Sequence, residues 1–348
     1  MAVAGGDETE RGRMIRKTTA ATAIALTLGA LGVTLLTGST NAAHRKYTIV
    51  SVAYFPSTAI GGRAAAKRLG MRYILASAQR LGSEQSVIRY YKSLIARHVD
   101  AIATGGYDPA LQPVFRKVRK AGILLISSGD DVAGRRDLWV NYSATAAFAR
   151  AMADALASQI HDKGEYAILD EQGEFPIAHT WAKDVSAYIA KAYPKMKSDG
   201  LQTETGAGDQ TEVDSVKSFM SAHPNLKGLI SITPTETYMA AEAITQAGRI
   251  GQVFSAGNGG GDFKGTPLVG WVRSGAMEDV VVGNPIKVGY LTVWAAHYML
   301  TGHHFGPGAY QVGGPIGLVW YYAKHRELRL GQPITITKKN VELYAHRF

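Results

Sequence analysis

The sequence predicts an α/β protein built as two doubly wound parallel-sheet lobes, and three observations carry that expectation. Short β-branched runs alternate with glycine-punctuated helical segments from Tyr47 to Asn284. The run Ile123-Leu124-Leu125-Ile126 is continuously apolar, as parallel strands covered on both faces are. The length, 348 residues, exceeds what one hydrophobic core usually fills.

Tyr47 to Ala53 is a β-branched run of strand length. Ala59 to Leu69 mixes Ala and Leu with Arg63, Lys67 and Arg68 and reads as a helix, ended by Gly70 where a left-handed cap falls. Arg72 to Ser77 is a second strand. Ser83 caps a helix to Arg97 that turns Val87, Leu94 and Ile95 inward. Ala101 to Thr104 is a short strand, and Asp108 and Pro109 open a helix from Ala110 to Ala121. Gly122 then gives way to the strand Ile123 to Ser127. Strand and helix alternating at this pace require a parallel sheet with right-handed crossovers. Leu138 to Asn141 is a further strand leaving that sheet.

From Ala144 the cadence restarts. A helix to His161 precedes the strand Tyr166 to Leu169, and a helix from Ile177 to Ala192 precedes a weak strand near Leu201. Helix Glu212 to Ala222, strand Gly228 to Ile232, helix Thr235 to Gln246 and strand Gln252 to Ala256 complete a second half of similar size. Val280 to Pro285 introduces a long helix, Ile286 to Leu300, apolar over most of its surface and so expected to be buried between other elements. Gly313, Gly314, Pro315 and Gly317 mark a loop, Ile334 to Thr337 a final strand, and Asn340 to Phe348 a terminal segment.

The N-terminus is of another kind. Arg16 and Lys17 precede the apolar run Ala20 to Leu36, and Thr40-Asn41-Ala42 offers small residues for cleavage, so residues 1–43 read as an export signal peptide, with a retained membrane anchor as the alternative because the run approaches spanning length. Met14, just before Arg16, is an alternative start. Leu36-Thr37-Gly38-Ser39 has the form of a lipobox with serine in place of the lipidated cysteine; without a thiol there is no acyl acceptor, and a soluble periplasmic protein is expected. The chain has no cysteine, which excludes disulfides, thiolate metal sites and thiol nucleophiles. Removing residues 1–43 leaves 34 Lys and Arg against 25 Asp and Glu, a net charge of +9. The basic residues are scattered over helix faces, as in Arg116, Lys117, Arg119 and Lys120, which fits solvated surfaces and not a nucleic-acid site.

In an open parallel sheet, ligands bind beyond the carboxyl ends of the strands. The residues that follow the strands are therefore the candidate ligand-binding set: Tyr54 and Phe55, Asp130 and Asp131, His179 and Trp181, Glu236, Asn258, and Asn284. Aromatic faces suit the C–H side of a sugar ring, while carboxylates and amides suit vicinal hydroxyls, so the set points to a polyhydroxylated ligand. Each residue also has a structural alternative: core packing for Tyr54, Phe55 and Trp181, a cap or turn for Asp130 and Asp131, and a helix N-terminus for Glu236. Asn258-Gly-Gly-Gly-Asp262 lacks the G-x-G-x-x-G spacing, and no G-x-x-x-x-G-K-[ST] occurs, so no nucleotide cofactor is expected. His303-His304 has no H-E-x-x-H beside it and no G-x-S-x-G elbow is present, so neither a metal nor a catalytic residue is assigned.

Ala64-Ala-Ala-Lys-Arg-Leu-Gly70, Val99-Asp-Ala-Ile102, Pro109 to Ile123, and Asn284-Pro285 before a helix closing in Leu300-Thr-Gly302 follow one another in an order that resembles the type I periplasmic sugar-binding proteins of ABC importers. The ending Leu330 to Asn340, with Tyr344 and Phe348, is similar to the branch holding rhamnose-binding and furanone-autoinducer-binding proteins. The resemblance spans about residues 46 to 348 and implies two lobes joined by three crossings, near Asn141, Asn284 and Gly313. The first lobe would be residues 44–141 with 284–312, and the second 142–283 with 313–348. There are departures. Gly129 stands where the family usually has an aspartate, the autoinducer binders' Asp-Gln pair falls on Ile177 and Ala178, and Gly257 or Asn258 replaces a common aspartate.

The expectation is a periplasmic solute-binding protein, not an enzyme. It would act as a monomer without cofactors, hold a monosaccharide or related polyol between its lobes, and deliver it to an ABC permease in the inner membrane. A sensory protein presenting its ligand to a chemoreceptor or sensor kinase is the alternative, since the same fold serves both.

Overall fold

A computed structural model describes residues 46–53, 55–105, 109–132, 134–171, 176–205, 207–260 and 263–347. The expected signal peptide, Tyr54 and the capping Asp108 lie outside the described residues. The chain runs β1 (Thr48–Ala53), α1 (Thr58–Leu69), β2 (Arg72–Ser77), α2 (Ala78–Leu81), α3 (Glu84–Ala96), β3 (Ala101–Thr104), α4 (Gln112–Lys120), β4 (Leu124–Ser128) and β5 (Leu138–Asn141). It continues through α5 (Thr145–Gln159), β6 (Lys163–Glu171), α6 (Pro176–Ala192), β7 (Lys195–Glu204), α7 (Gln210–Ala222), β8 (Leu226–Ser231), α8 (Pro234–Gln246), β9 (Phe254–Asn258), α9 (Leu268–Ser274) and β10 (Asp279–Val282). It ends with α10 (Pro285–Leu300), β11 (Gly308–Gln311), β12 (Leu318–Tyr322), β13 (Glu327–Arg329), β14 (Ile334–Thr337) and α11 (Val341–Tyr344).

Two sheets result. The first has eight strands in the order β11-β12-β13-β5-β4-β3-β1-β2, and the second six in the order β14-β10-β9-β8-β6-β7. Parallel pairing holds throughout β2-β1-β3-β4-β5 and β7-β6-β8-β9-β10, as the strand-helix alternation requires. Each sheet is covered on both faces. The first carries one core against α1 and α10 and another against α3 and α4. The second carries one against α7, α8 and α9 and another against α5 and α6.

Local signals read from the sequence act as expected at several ends. Gly70 takes φ 68° and closes α1, and the Ser83 hydroxyl accepts the Ser86 N–H at 3.3 Å to cap α3. The helix expected from Ala110 is a short 3-10 turn, Pro109–Leu111, followed by α4 with Pro113 in its first turn. The weak strand near Leu201 is the ten-residue edge strand β7.

The larger difference concerns the tail. Gly313 to Gly317 is no crossing between sheets but the turn between β11 and β12, which pair antiparallel. Through β13, in parallel register Leu328↔Val140 with β5, the chain stays with the first sheet to Arg329 and passes to the second only at residues 330–333. The third crossing therefore lies about one hairpin later than expected. The other two passages lie between β5 and α5 and between β10 and α10.

Helix α10 is buried along most of its length and crosses α1 at near contact. A Cβ on Gly61 would stand 1.8 Å from the Ile286 carbonyl oxygen, and one on Gly289 would stand 1.9 Å from that of Thr58. The two glycines are reciprocal, each admitting the other helix's backbone. Among the described residues, no helix is long and apolar enough to cross a membrane.

Candidate functional site

The carboxyl ends of β1, β3 and β4 border an open cleft lined by Ser51, Ala53, Phe55, Thr58, Gly105, Ser128, Asp130 and Tyr142. Its position follows from topology, because parallel strands present their ends along one edge. Thr58 opens α1 and donates its hydroxyl to the Phe55 carbonyl at 2.7 Å, which fixes the turn carrying the Phe55 ring. Ser128, the last residue of β4, shares a hydrogen bond of 2.9 Å with Thr292 of α10. Each hydroxyl keeps a further lone pair or proton to offer.

Phe55 reaches toward the second sheet. A Cβ on Gly260, in the loop after β9, would lie 3.3 Å from its ring and 3.1 Å from Pro234, the first residue of α8. Tyr142 stands in the first passage between the sheets and packs against cores of both. A Cβ on Gly129 would meet its ring at 2.7 Å, and one on Gly283, in the second passage, at 2.3 Å. Gly283→Ala should therefore destabilise the protein by about 2 kcal/mol through overpacking. Adding Tyr142→Ala should return part of that loss, giving a coupling above about 0.5 kcal/mol in a denaturant double-mutant cycle; strict additivity would contradict the wedge.

Phe55 and Asp130 are thus the two expected residues that line this cleft. Asp131 turns back along the connection to β5. Its carboxylate is held bidentately by Arg136, at 2.6 and 2.8 Å, and the guanidinium lies 5.8 Å from the Trp139 ring. Asn284 caps α10, its Oδ1 accepting the Lys287 N–H at 2.9 Å. Asn258 Oδ1 accepts the Gly260 N–H at 3.0 Å and shapes the loop after β9. In each case a short polar side chain at a strand end is taken up by the turn it begins.

His179, Trp181 and Glu236 lie at the edge of the second sheet and not on the cleft lining. Asp170, near the end of β6 and fully buried, is hydrogen bonded to His179 Nδ1 while the His179 side chain remains 44% exposed. Burial pushes the Asp170 carboxyl up, and the His179 partner opposes that rise. Trp181 stacks on Phe148 at 5.8 Å and packs into the core between α5 and α6. Glu236 forms a capping box with Thr233, whose hydroxyl also donates to Glu171 at 3.2 Å. Full burial, with the neighbouring Glu171 and Glu212 carboxylates adding to it, pushes Glu236 up to about 7.

Ser51, Thr58, Ser128 and Tyr142 were not among the residues expected from the sequence. Tyr142 and Ser128 sit at strand ends and were open to the same rule; Ser51, inside β1, carried no such mark. Among the described residues, no cluster of His, Asp and Glu is arranged to hold a metal ion.

Residues 48–304 match the family described as periplasmic binding protein domain. No curated protein matches the chain. Several solved structures share its fold. One is described as a sugar ABC transporter from Actinomyces odontolyticus, with 22% identity, a TM-score of 0.69, and coverage of 86% of this chain and 97% of that one. An ABC transporter solute-binding protein from Clostridium phytofermentas with bound L-rhamnose has 21% identity and a TM-score of 0.70, covering 87% and 98%. Another from Actinobacillus succinogenes with bound D-allose has 20% identity and a TM-score of 0.67, covering 86% and 99%.

Proposed function

The chain belongs to the periplasmic binding protein domain family, and from that premise we propose that it captures a monosaccharide or related polyol and delivers it to an ABC-type permease. The observation that carries this reading is the cleft, where one carboxylate, three aliphatic hydroxyls, the Phe55 ring and the Tyr142 phenol converge near the strand ends. Such a set accepts and donates to vicinal hydroxyls while covering a ring face. The sugars held by two structural neighbours and the transporter context of all three support it. Residues 1–43 would direct export to the periplasm. Ligand would draw the second-sheet edge, with His179, Glu236 and Asn258, toward Phe55 and Asp130 by rotation about the passages at 142–144, 283–284 and 330–333.

Isothermal titration against a panel of aldoses, ketoses and polyols that includes L-rhamnose and D-allose tests the proposal. At least one member should bind, and Asp130→Ala should weaken it by roughly 30-fold, about 2 kcal/mol, through loss of a carboxylate hydrogen bond. A panel without any heat of binding would count decisively against it.

A further inference from the structure

Seven large apolar side chains are exposed among the described residues, and three of them, Leu318, Trp320 and Tyr322, are alternate residues of β12. Alternation places them on one face, a stripe roughly 14 Å long. Val319 and Tyr321, on the other face, enter the core beneath α10. The exposures are 59%, 53% and 39%. On β11, Ala309 and Gln311 lie directly opposite Trp320 and Leu318 and are exposed with them.

The exposed charged side chains of the segment that carries the stripe have one sign. Lys324, His325 and Arg326 follow it in the exposed turn between β12 and β13. From Gly302 to Pro333 the only acidic residue is Glu327, which is buried and neutralised by a bidentate pair with Arg329 at 2.7 Å. The Arg329 guanidinium in turn lies 4.1 Å over the Tyr322 ring. Exposed Trp and Tyr side by side with Lys and Arg are the chemistry of the membrane–water interface, where rings sit at the headgroup level and cations meet anionic lipid.

We propose that the β12 face is a docking surface for an anionic lipid membrane. The rings of Trp320 and Tyr322 enter the headgroup layer, and Lys324 and Arg326 contact lipid phosphates. A protein held there is confined to the plane of the membrane without a covalent anchor, and the surface is separate from the cleft.

Vesicle sedimentation of residues 46–348, which contain both sheets and all four cores complete, tests this. Binding to phosphatidylglycerol-containing vesicles should exceed binding to pure phosphatidylcholine vesicles at least about tenfold, and should be largely lost near 0.5 M salt. Trp320→Thr, which keeps a β-branched residue in the strand, should weaken binding about tenfold. Lys324→Gln and Arg326→Asn should each weaken it about fivefold; asparagine suits the φ of 45° at position 326. Gln311→Lys should strengthen it. The proposal is overturned if anionic vesicles bring down no protein, if the Trp320 and Lys324 variants bind like the parent, or if light scattering shows a dimer that Trp320→Thr dissolves. That last result would assign the face to a second copy of the chain.

Discussion

Gly289→Ala should lower stability by about 4 kcal/mol, among the largest losses a single added methyl can produce. The new carbon would stand 1.9 Å from the Thr58 carbonyl oxygen, and backbone cannot swing aside as a side chain can. To relieve the contact, α10 must move off α1, and the reciprocal fit of Gly61 against Ile286 opens with it. Both helices cover the same face of the first sheet, so the separation admits water to the core around Val288, Leu291 and Val293. Gly270→Ala is the control. It also adds a methyl to a helix, but nothing lies within 4 Å of the new carbon, and stability should stay level or rise by about 0.5 kcal/mol. Urea denaturation of the two variants beside the parent gives the comparison, and equal midpoints for the two variants would refute the close crossing.

Raising the pH from about 4.5 to 7 should cost roughly 3 kcal/mol of stability at Glu236 alone, at about 1.4 kcal/mol per pH unit. The sign follows from where the proton is held. In the unfolded chain a glutamate releases it near 4.5, whereas in the folded protein the buried Glu236 keeps it up to about 7. The folded state therefore binds more protons across this interval, and stability falls as pH rises through it. Above 7 the contribution is flat. Glu236→Gln keeps an acceptor for the Thr233 N–H and removes the ionisation. The variant should match the parent near pH 4 and exceed its stability by a few kcal/mol at pH 8. Other carboxylates titrate in both proteins, so the difference between their pH profiles is the quantity that reports on Glu236; parallel profiles would exclude the assignment.

Much of the fold was legible because its strands are bracketed by residues with single conformational meanings. Gly70 ends α1 by adopting a conformation other residues avoid, and Ser83 begins α3 by occupying an orphan N–H. The β11–β12–β13 extension was hidden for a different reason. Leu318-Val-Trp-Tyr-Tyr322 is apolar on both faces, so the period of two that marks a half-exposed strand is absent, and the glycines of 313–317 read as a loop without saying what they join.

The site was legible in location and less so in detail. The strand-end rule picks out Phe55 and Asp130, which line the cleft, but also Asp131, Asn258 and Asn284, because residues that can hydrogen bond a sugar are the same residues that close turns and cap helices. Asp131 is drawn aside by Arg136, five residues downstream, and that ion pair is a matter of how the connection between β4 and β5 folds back.

The close crossing of α1 and α10 bears on how the chain assembles during synthesis. When β10 leaves the ribosome, the second sheet lacks only β14, yet the first still has no α10 and none of β11, β12 and β13. The glycine face of α1 then waits, uncovered, for a partner more than 200 residues downstream, as the Arg68–Tyr290 contact across 222 positions measures. The half begun first consequently stays without its covering helix until late in synthesis, and its nascent form presents apolar surface for chaperones to shield until roughly the last fifth of the chain arrives.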